Sequence, residues 1–426
     1  MKYEQFEILP NAAKWLFFAA IVGVLAGIAS AGFLVSLDWI THWREAHRWI
    51  IVFLPVGGFL IGSLYHHMGK KVESGNNLLL DEIHDPKKIV PFRMAPLILL
   101  STIATHLFGG SAGREGTAVQ MAGSIADQLS HPFRFKAEDR RVLLMAGISA
   151  GFSSVFGTPL AGAVFGLEVL AIGRLRYDAI FPCFMAAIIA NLVTLACGVR
   201  HTPYAISSIP PVSAWFLLQT LLAGIVFGVA GMLFSTVTHE ITQFSKARIT
   251  HEPFRLFVGG VIVAVLVWVC GTTKYIGLGI PTIVQSFQGP LKPWDFLGKF
   301  LFTSITLGFG FKGGEVTPLF YIGATLGNAL SCISTLPLSV LAGIGFVAVF
   351  AGAANTPLTC TILAIEIFGT DIAVYAAIAC VVSYLFSGHA GIYHSQRIGL
   401  SKNATRPIHD NPTLSAYLKS KKERVT

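Results

Sequence analysis

Charge is what this chain has least of. Only 12% of its 426 residues are Asp, Glu, Lys or Arg, while 53% are hydrophobic. An ordinary globular domain carries roughly 25% charged residues, so a soluble protein of this composition could not cover its own core. Also missing is a disulfide or metal framework: the six cysteines (Cys183, Cys197, Cys270, Cys332, Cys360, Cys380) are scattered without CxxC spacing and read as packing thiols. Neither HExxH nor a Walker loop occurs, and no nucleophile–base set or metal-ligand set stands out. The chain is therefore not expected to be an enzyme or to need a cofactor or a metal. The first apolar run follows a mixed-charge start (Lys2, Glu4, Glu7, Lys14) without a tidy cleavage pattern, and is read as a retained span rather than a signal.

What the chain has is apolar length. Residues 15–37, 180–198 and 215–237 are long enough to span a bilayer core, while 256–270 and 374–386 are shorter, and 336–354 is peppered with glycine and small residues. The formal charge of +9 does not point to nucleic acid. Basic residues bunch in short connections (Arg44 and Arg48, Lys70 and Lys71, Lys87 and Lys88, residues 134–141 and 246–255) and in the tail, residues 401–426, where six Lys/Arg face Asp410 and Glu423. This reads as an orientation signal with anionic-lipid contact, placing a short basic tail on the cytoplasmic side.

Internal similarity organises the rest. Leu25-Ala26-Gly27-Ile28 recurs as Leu222-Ala223-Gly224-Ile225, and Thr41-His42 as Thr238-His239. Thr158-Pro159-Leu160 recurs as Thr356-Pro357-Leu358, each followed ten residues after its threonine by a glutamate, Glu168 and Glu366. Gly113-Arg114-Glu115-Gly116-Thr117 has its counterpart in Gly313-Gly314-Glu315-Val316-Thr317, 200 residues on. The order and near-constant displacement define one transmembrane domain (1–426) of two repeats, about 12–200 and 213–400, joined by a connector holding Pro203, Pro210 and Pro211.

Glutamates at membrane depth are expensive and mark ion pathways. Glu115 opens an apolar segment, 118–125, that reads as a helix. Helix-start N–H groups bind anions, and a carboxylate there occupies the anion's own place; protonation would release it. The plainer alternative is a first-turn glutamate stabilised by the dipole, with Arg114 as partner. Asn76 or Asn77 is either an N-cap or an amide donor to an anion. Pro318 suits a helix start, with Glu315 and Thr317 as caps raised to interest by the repeat. Glu168 and Glu366 read as span-end residues near interface water, with a proton relay as the minor alternative. Tyr393 reads as an interfacial aromatic, and His106 as a packed histidine.

With these residues set out, the chain resembles the CLC family of anion channels and proton-coupled anion antiporters. The likeness rests on Gly-Arg-Glu-Gly at 113–116, Gly-x-x-x-Pro at Gly314 to Pro318, a Pro-Leu-x7-Glu helix in each half, and Gly-x4-Tyr ending at Tyr393. Asn near the first motif, Gly-Arg-Glu-Gly-Thr and Gly-Glu-Val-Thr-Pro make it similar to the bacterial fluoride-exporting branch. The resemblance implies an all-α polytopic fold of two inverted-topology repeats with broken helices, a gating carboxylate at Glu115, and a homodimer in the bacterial inner membrane. It implies fluoride/proton antiport conferring fluoride resistance, the alternatives being chloride/proton exchange and a passive anion channel. Glu115, Glu315 and Thr317 would handle ion and proton. Asn76, Asn77, Gly113, Arg114, Gly116, Thr117, Gly314, Val316 and Tyr393 would surround the anion. One departure stands out: the internal proton-relay glutamate of chloride-type antiporters aligns with Val169, which implies a different proton route. Fluoride is small and strongly hydrated, so directed amide and hydroxyl donors suit it better than a roomy cradle.

Overall fold

The computed structural model describes residues 4–403 and 411–423. Apolar sequence becomes helix almost throughout, because a backbone out of water must satisfy its own N–H and C=O groups. The first half holds α1 (Glu4–Ala46), α2 (Leu54–Leu64), α3 (Asn76–His84), α4 (Met94–Leu107), α5 (Glu115–Asp127), α6 (Ala137–Phe156), α7 (Pro159–Glu168) and α8 (Ile180–Ala196). The second holds α9 (Ala214–Arg248), α10 (Glu252–Cys270), α11 (Ile280–Gln288), α12 (Asp295–Gly308), α13 (Val316–Leu330), α14 (Leu338–Ala354), α15 (Pro357–Phe368) and α16 (Ala373–Phe386). A final helix, α17 (Leu414–Glu423), follows a two-residue parallel pairing of β1 (Ala171–Ile172) with β2 (Arg397–Ile398).

Five helical stretches among the described residues are long and apolar enough to cross a membrane, α1, α8, α9 and α10 among them. Others are too short to cross. At 1.5 Å per residue, the 13 residues of α5 reach about 20 Å of a core about 30 Å thick. These are the broken helices, and their ends lie inside the protein.

The repeats are inverted, and hydrogen bonds across their junction show how. Gly113 and Gly314 form an antiparallel bridge, Gly113 N–H to Gly314 O at 2.6 Å and Gly314 N–H to Gly113 O at 2.8 Å. The starts of α5 and α13 thus meet head to head. A second reciprocal pair joins α7 and α15. Glu168, at the end of α7, accepts from the N–H groups of Leu358 and Thr359 and the Thr359 hydroxyl (3.0, 2.8 and 2.6 Å). Glu366 returns the contact, accepting from Leu160 and Ala161 N–H at 2.9 and 2.8 Å. Each glutamate caps the partner repeat's helix, satisfying donors the helix start leaves unpaired. Both glutamates lie at helix ends, as read from the sequence, but within the repeat junction, where each carboxylate oxygen accepts a hydrogen bond.

Close packing depends on glycine where α13 crosses α14. A Cβ on Gly323 would strike the Gly345 carbonyl, and one on Gly345 the Gly323 carbonyl. Small residues let the backbones meet, which drives helix association where lipid removes the hydrophobic incentive.

Beside this apolar packing sits one dense charged clamp. Arg140, near the start of α6, donates from Nε and Nη2 to Asp127 at 2.8 Å each, from Nη1 to Glu82 at 2.9 Å, and from Nη2 to the Lys88 carbonyl. Asp127 also accepts from Val90 N–H and Ser130, and Glu82 from Lys87 and Lys88 N–H. The clamp locks the far ends of α3 and α5, and so sets where their starts lie.

The tail is less free than its composition suggests. Lys402 donates to Asn355 Oδ1 and the Tyr384 carbonyl, both at 2.6 Å, and to Ser387 Oγ at 3.1 Å. Leu414 is buried with Ile172 and Ile398. Residues 401–403 and 411–423 are thus docked on the helices, while Arg406, Asp410 and Arg424 lie outside the described residues.

Candidate functional site

Three helix starts converge at the repeat junction: α3 at Asn76, α5 at Glu115 and α13 at Val316. Their proximity is direct. The point a Cβ on Gly116 would occupy lies 3.0 Å from Asn76 Nδ2, 3.2 Å from Gly314 Cα and 3.9 Å from Glu315 Oε2. Each start aims unpaired N–H groups and a positive dipole end inward, which makes the junction attractive to negative charge. Gly75, in the left-handed region at φ +58°, lets the chain turn sharply into α3.

Glu115 holds the centre and is 1% exposed. Its Oε2 accepts from Thr317 N–H at 3.0 Å and Arg114 N–H at 3.1 Å, and its Oε1 from the Thr317 hydroxyl at 2.5 Å. The carboxylate is seated on the partner repeat's helix start, where an anion would sit. Arg114 Nε lies 3.7 Å from Oε1, an ion pair without a hydrogen bond, and that nitrogen is buried without a partner.

Cavities lie to either side. One of about 190 Å³ is lined by Asn76, Gln120, Lys312, Glu315 and Tyr393, and Asn77 also borders it. A small one of about 30 Å³ touches Glu115, Thr317, Arg114, His201 and Tyr204. Arg114, His201 and Thr202 also line a third, of about 750 Å³, with Arg44, Arg48, Arg200 and Lys274 in its wall. Glu315 therefore borders one space and Glu115 another.

The remaining residues singled out from sequence fall in distinct places. Asn76 is not an N-cap: α3 has no side-chain cap, and Asn76 Oδ1 is buried and unpaired. Asn77 Oδ1 instead accepts from Ser395 N–H at 2.9 Å and anchors the Tyr393 segment. Tyr393 is buried at the cavity rather than lying at a lipid interface. The Thr117 hydroxyl pairs with Thr102 at 2.7 Å and turns to neither cavity, so the expectation that it donates to the ion is corrected. Val316 packs in the apolar core and offers no polar side chain. Gly314 and Gly113 serve the bridge. Val169 is buried, its N–H donating to the Phe165 carbonyl and its own carbonyl accepting from Gln396.

Two lining residues carried no functional reading in the sequence. Gln120 lies one turn beyond Gly116 on α5, a face that helical spacing would have flagged. Lys312 precedes the second glycine motif, but only the tertiary fold turns it to the cavity. One enzyme-like string does occur, G-x-S-x-G at Gly147 to Gly151. It lies in the middle of α6, not on a strand-to-helix elbow, and its buried Ser149 donates to the Ala163 carbonyl.

Inverted repeats of broken helices, meeting at a buried carboxylate between cavities, define a polytopic membrane protein of transporter architecture. The voltage gated chloride channel family model matches residues 57–388. The chain belongs to this family, the CLC family. It is 62% identical to the chloride/fluoride channel protein of Pseudomonas syringae pv. tomato, over 97% of this chain and 92% of the relative. It is 27% identical to the H(+)/Cl(-) exchange transporter ClcA of Vibrio vulnificus, over 82% of this chain and 81% of that protein. Among solved structures, a CLC-type fluoride/proton antiporter superposes with a TM-score of 0.88 at 33% identity, covering 90% of this chain and 98% of that one. A slow cyanobacterial Cl-/H+ antiporter shares the fold, with a TM-score of 0.77 at 22% identity.

Proposed function

We propose that the chain is a proton-coupled anion antiporter that exports fluoride in exchange for protons and so confers fluoride resistance. The observation that carries this reading is the Glu115 carboxylate, seated on Thr317 N–H, the Thr317 hydroxyl and Arg114 N–H. Those three donors would serve a small anion equally well. When Glu115 takes a proton it loses its charge and its claim on the donors; it leaves, and fluoride enters. The two events cannot share the site, and this exclusion couples them. Glu315, bordering the other cavity, takes the proton on the other side in place of the relay that Val169 does not supply. Thr317 passes between carboxylate and ion.

Asn76 supplies a directed amide donor and Tyr393 a hydroxyl, which replace hydration for a strongly hydrated ion. Asn77 has a positioning role through Ser395. Asn76→Ala is expected to raise the fluoride concentration needed for half-maximal flux with little change in stability. Asn77→Ala is expected to cost about 1 kcal/mol of stability through the lost hydrogen bond. Flux titrations and thermal unfolding of the two purified variants separate these roles.

The protein works in the inner membrane as a homodimer in contact with lipid, with its basic tail cytoplasmic. The docked tail and the segment 393–396 share one end of the molecule, Leu414 N–H bonding Gln396 O and Ser415 N–H bonding His394 O. The 190 Å³ cavity beside Tyr393 then opens to the cytoplasm.

The test is flux from liposomes loaded with potassium fluoride and chloride, with valinomycin setting the voltage and electrodes following both anions and external pH. Fluoride efflux driving protons uphill, with little chloride, supports the reading. Equal chloride flux returns the protein to chloride/proton exchange, and fluoride flux without protons makes it a channel.

A further inference from the structure

We infer that His201 is a proton relay between the outer vestibule and Glu115, handing the gating carboxylate the proton exchanged for fluoride; this rests on the antiporter reading above. The residue stands where two spaces meet. His201 borders both the 750 Å³ vestibule and the 30 Å³ cavity that touches Glu115. The vestibule lies at the outer face. Near its end α9 brings Thr242 and Lys246 to the cytoplasmic-side cavity, so the connector 198–213 before its start lies across the membrane.

The ring is held in an orientation that suits proton transfer. It lies over Gly157, where α6 ends in the left-handed region at φ +74°, and a Cβ there would strike His201 Cδ2. The ring hydrogen-bonds the Val155 backbone, while Nε2 is buried without a partner. Nδ1–H therefore serves the Val155 carbonyl, and Nε2 carries the lone pair. That lone pair and the Glu115 carboxylate belong to residues on one small buried cavity, and neither group donates. A shared proton donor satisfies both. The cavity's 30 Å³ has room for roughly one or two waters, with Thr202 and Tyr204 as further polar partners on its wall. An anion gains nothing from a lone pair, so the ring's place is with the proton.

The transfer balances. Nε2 takes a proton from vestibule water, giving an imidazolium with Nδ1–H still on Val155. A bridging water then protonates a Glu115 oxygen and receives the Nε2 proton in return. The ring is neutral again, the water is restored, and the carboxylic acid yields its donors to fluoride. Burial first, and then the Arg114 guanidinium, hold the ring below the ordinary histidine range against the Val155 bond. The imidazolium is thus short-lived and passes its proton on. Arg114 and Glu115 face the ring from the start of α5. Across the vestibule stand Asp38, His42, Arg44 and Glu45 of α1, with Arg48, Arg200 and Lys274 beyond.

The test uses full-length protein in liposomes, with pH varied on each side in turn and fluoride and protons followed together. His201→Gln stays polar but carries no proton. It is expected to lower coupled fluoride turnover at least about tenfold, since a positioned acid contributes about 10²–10⁴-fold and vestibule water makes up part of the loss. Half-saturating fluoride and the fluoride-to-proton ratio are expected to stay within about twofold of wild type. The Glu115→Gln background separates a relay from a scaffold. No proton passes there, so adding His201→Gln is expected to change fluoride flux by less than about twofold. A histidine that only shapes the connector would slow both backgrounds alike, and that result overturns the relay. Unchanged coupled turnover in folded His201→Gln overturns it too. If His201→Gln does not fold, wild-type turnover carries the test. It is expected to rise as outer pH falls, and independence from outer pH between about 5 and 8, where histidine titrates, overturns the relay. Wild-type fluoride flux without protons rejects the antiporter reading and the relay together, whereas wild-type antiport that His201→Gln leaves intact rejects the relay alone.

Discussion

Replacing Glu115 by glutamine is expected to cut proton movement per fluoride by more than about tenfold, since an amide carries no proton at working pH. The geometry says what remains. Oε2 now accepts from two N–H groups, of Thr317 and Arg114, while Oε1 accepts the Thr317 hydroxyl. The amide oxygen can still accept from both N–H groups, and its nitrogen can donate to the Thr317 hydroxyl, which accepts as well as donates. What the amide loses is the negative charge that the helix start attracts, so it competes with an anion for the same donors far less well. Fluoride flux in Glu115→Gln should therefore follow its own gradient without lifting protons. Electrode recordings of fluoride and pH in the same vesicles check this, and stoichiometric exchange in the variant would refute Glu115 as the coupling group.

The second large effect lies away from the junction. Arg140→Met should destabilise the protein by about 3–5 kcal/mol, because it strips the partner from two buried carboxylates at once. Asp127 is fully buried and Glu82 nearly so, and each retains only backbone or hydroxyl donors without the guanidinium. The loss should appear as a lower thermal midpoint and loss of monodispersity in detergent. Arg140→Lys should recover only part of it, since one ammonium cannot reproduce the forked contacts to Asp127 and Glu82. An unchanged midpoint in Arg140→Met would show that the clamp contributes nothing net. Because the clamp fixes the far ends of α3 and α5, surviving protein should also need more fluoride for half-maximal flux.

Much of the architecture is written locally. Apolar length predicts α1, α8 and α9, while α10 is a span only because its helix begins four residues before the apolar run read from sequence; the repeated strings predict that Glu115 has a counterpart in Glu315. Pro159 and Pro357 stand in the first turns of α7 and α15 as a helix start favours. These features are legible because they depend on composition and on neighbours three or four residues away. The pairing of repeats is another matter. That Glu168 caps α15 and Glu366 caps α7 depends on residues about 190 and 205 apart in the chain. No local pattern distinguishes such a cap from a glutamate at a span end.

The same limit applies at the junction. Asn76 and Asn77 are adjacent and chemically identical, yet one leaves an oxygen unpaired and the other bonds Ser395, 318 residues away. Thr117 and Thr317 occupy matching places in their motifs, but α4 brings Thr102 to the first, and the opposite repeat brings Glu115 to the second. The sequence by itself determined that this is a membrane protein of two related halves with a carboxylate at each glycine break, because hydrophobic length and repetition are properties of a chain read in order. Only the tertiary structure decided which donors each carboxylate meets and which cavity each faces, because hydrogen bonds of about 3 Å are set by how helices pack, and packing joins residues that the chain keeps far apart.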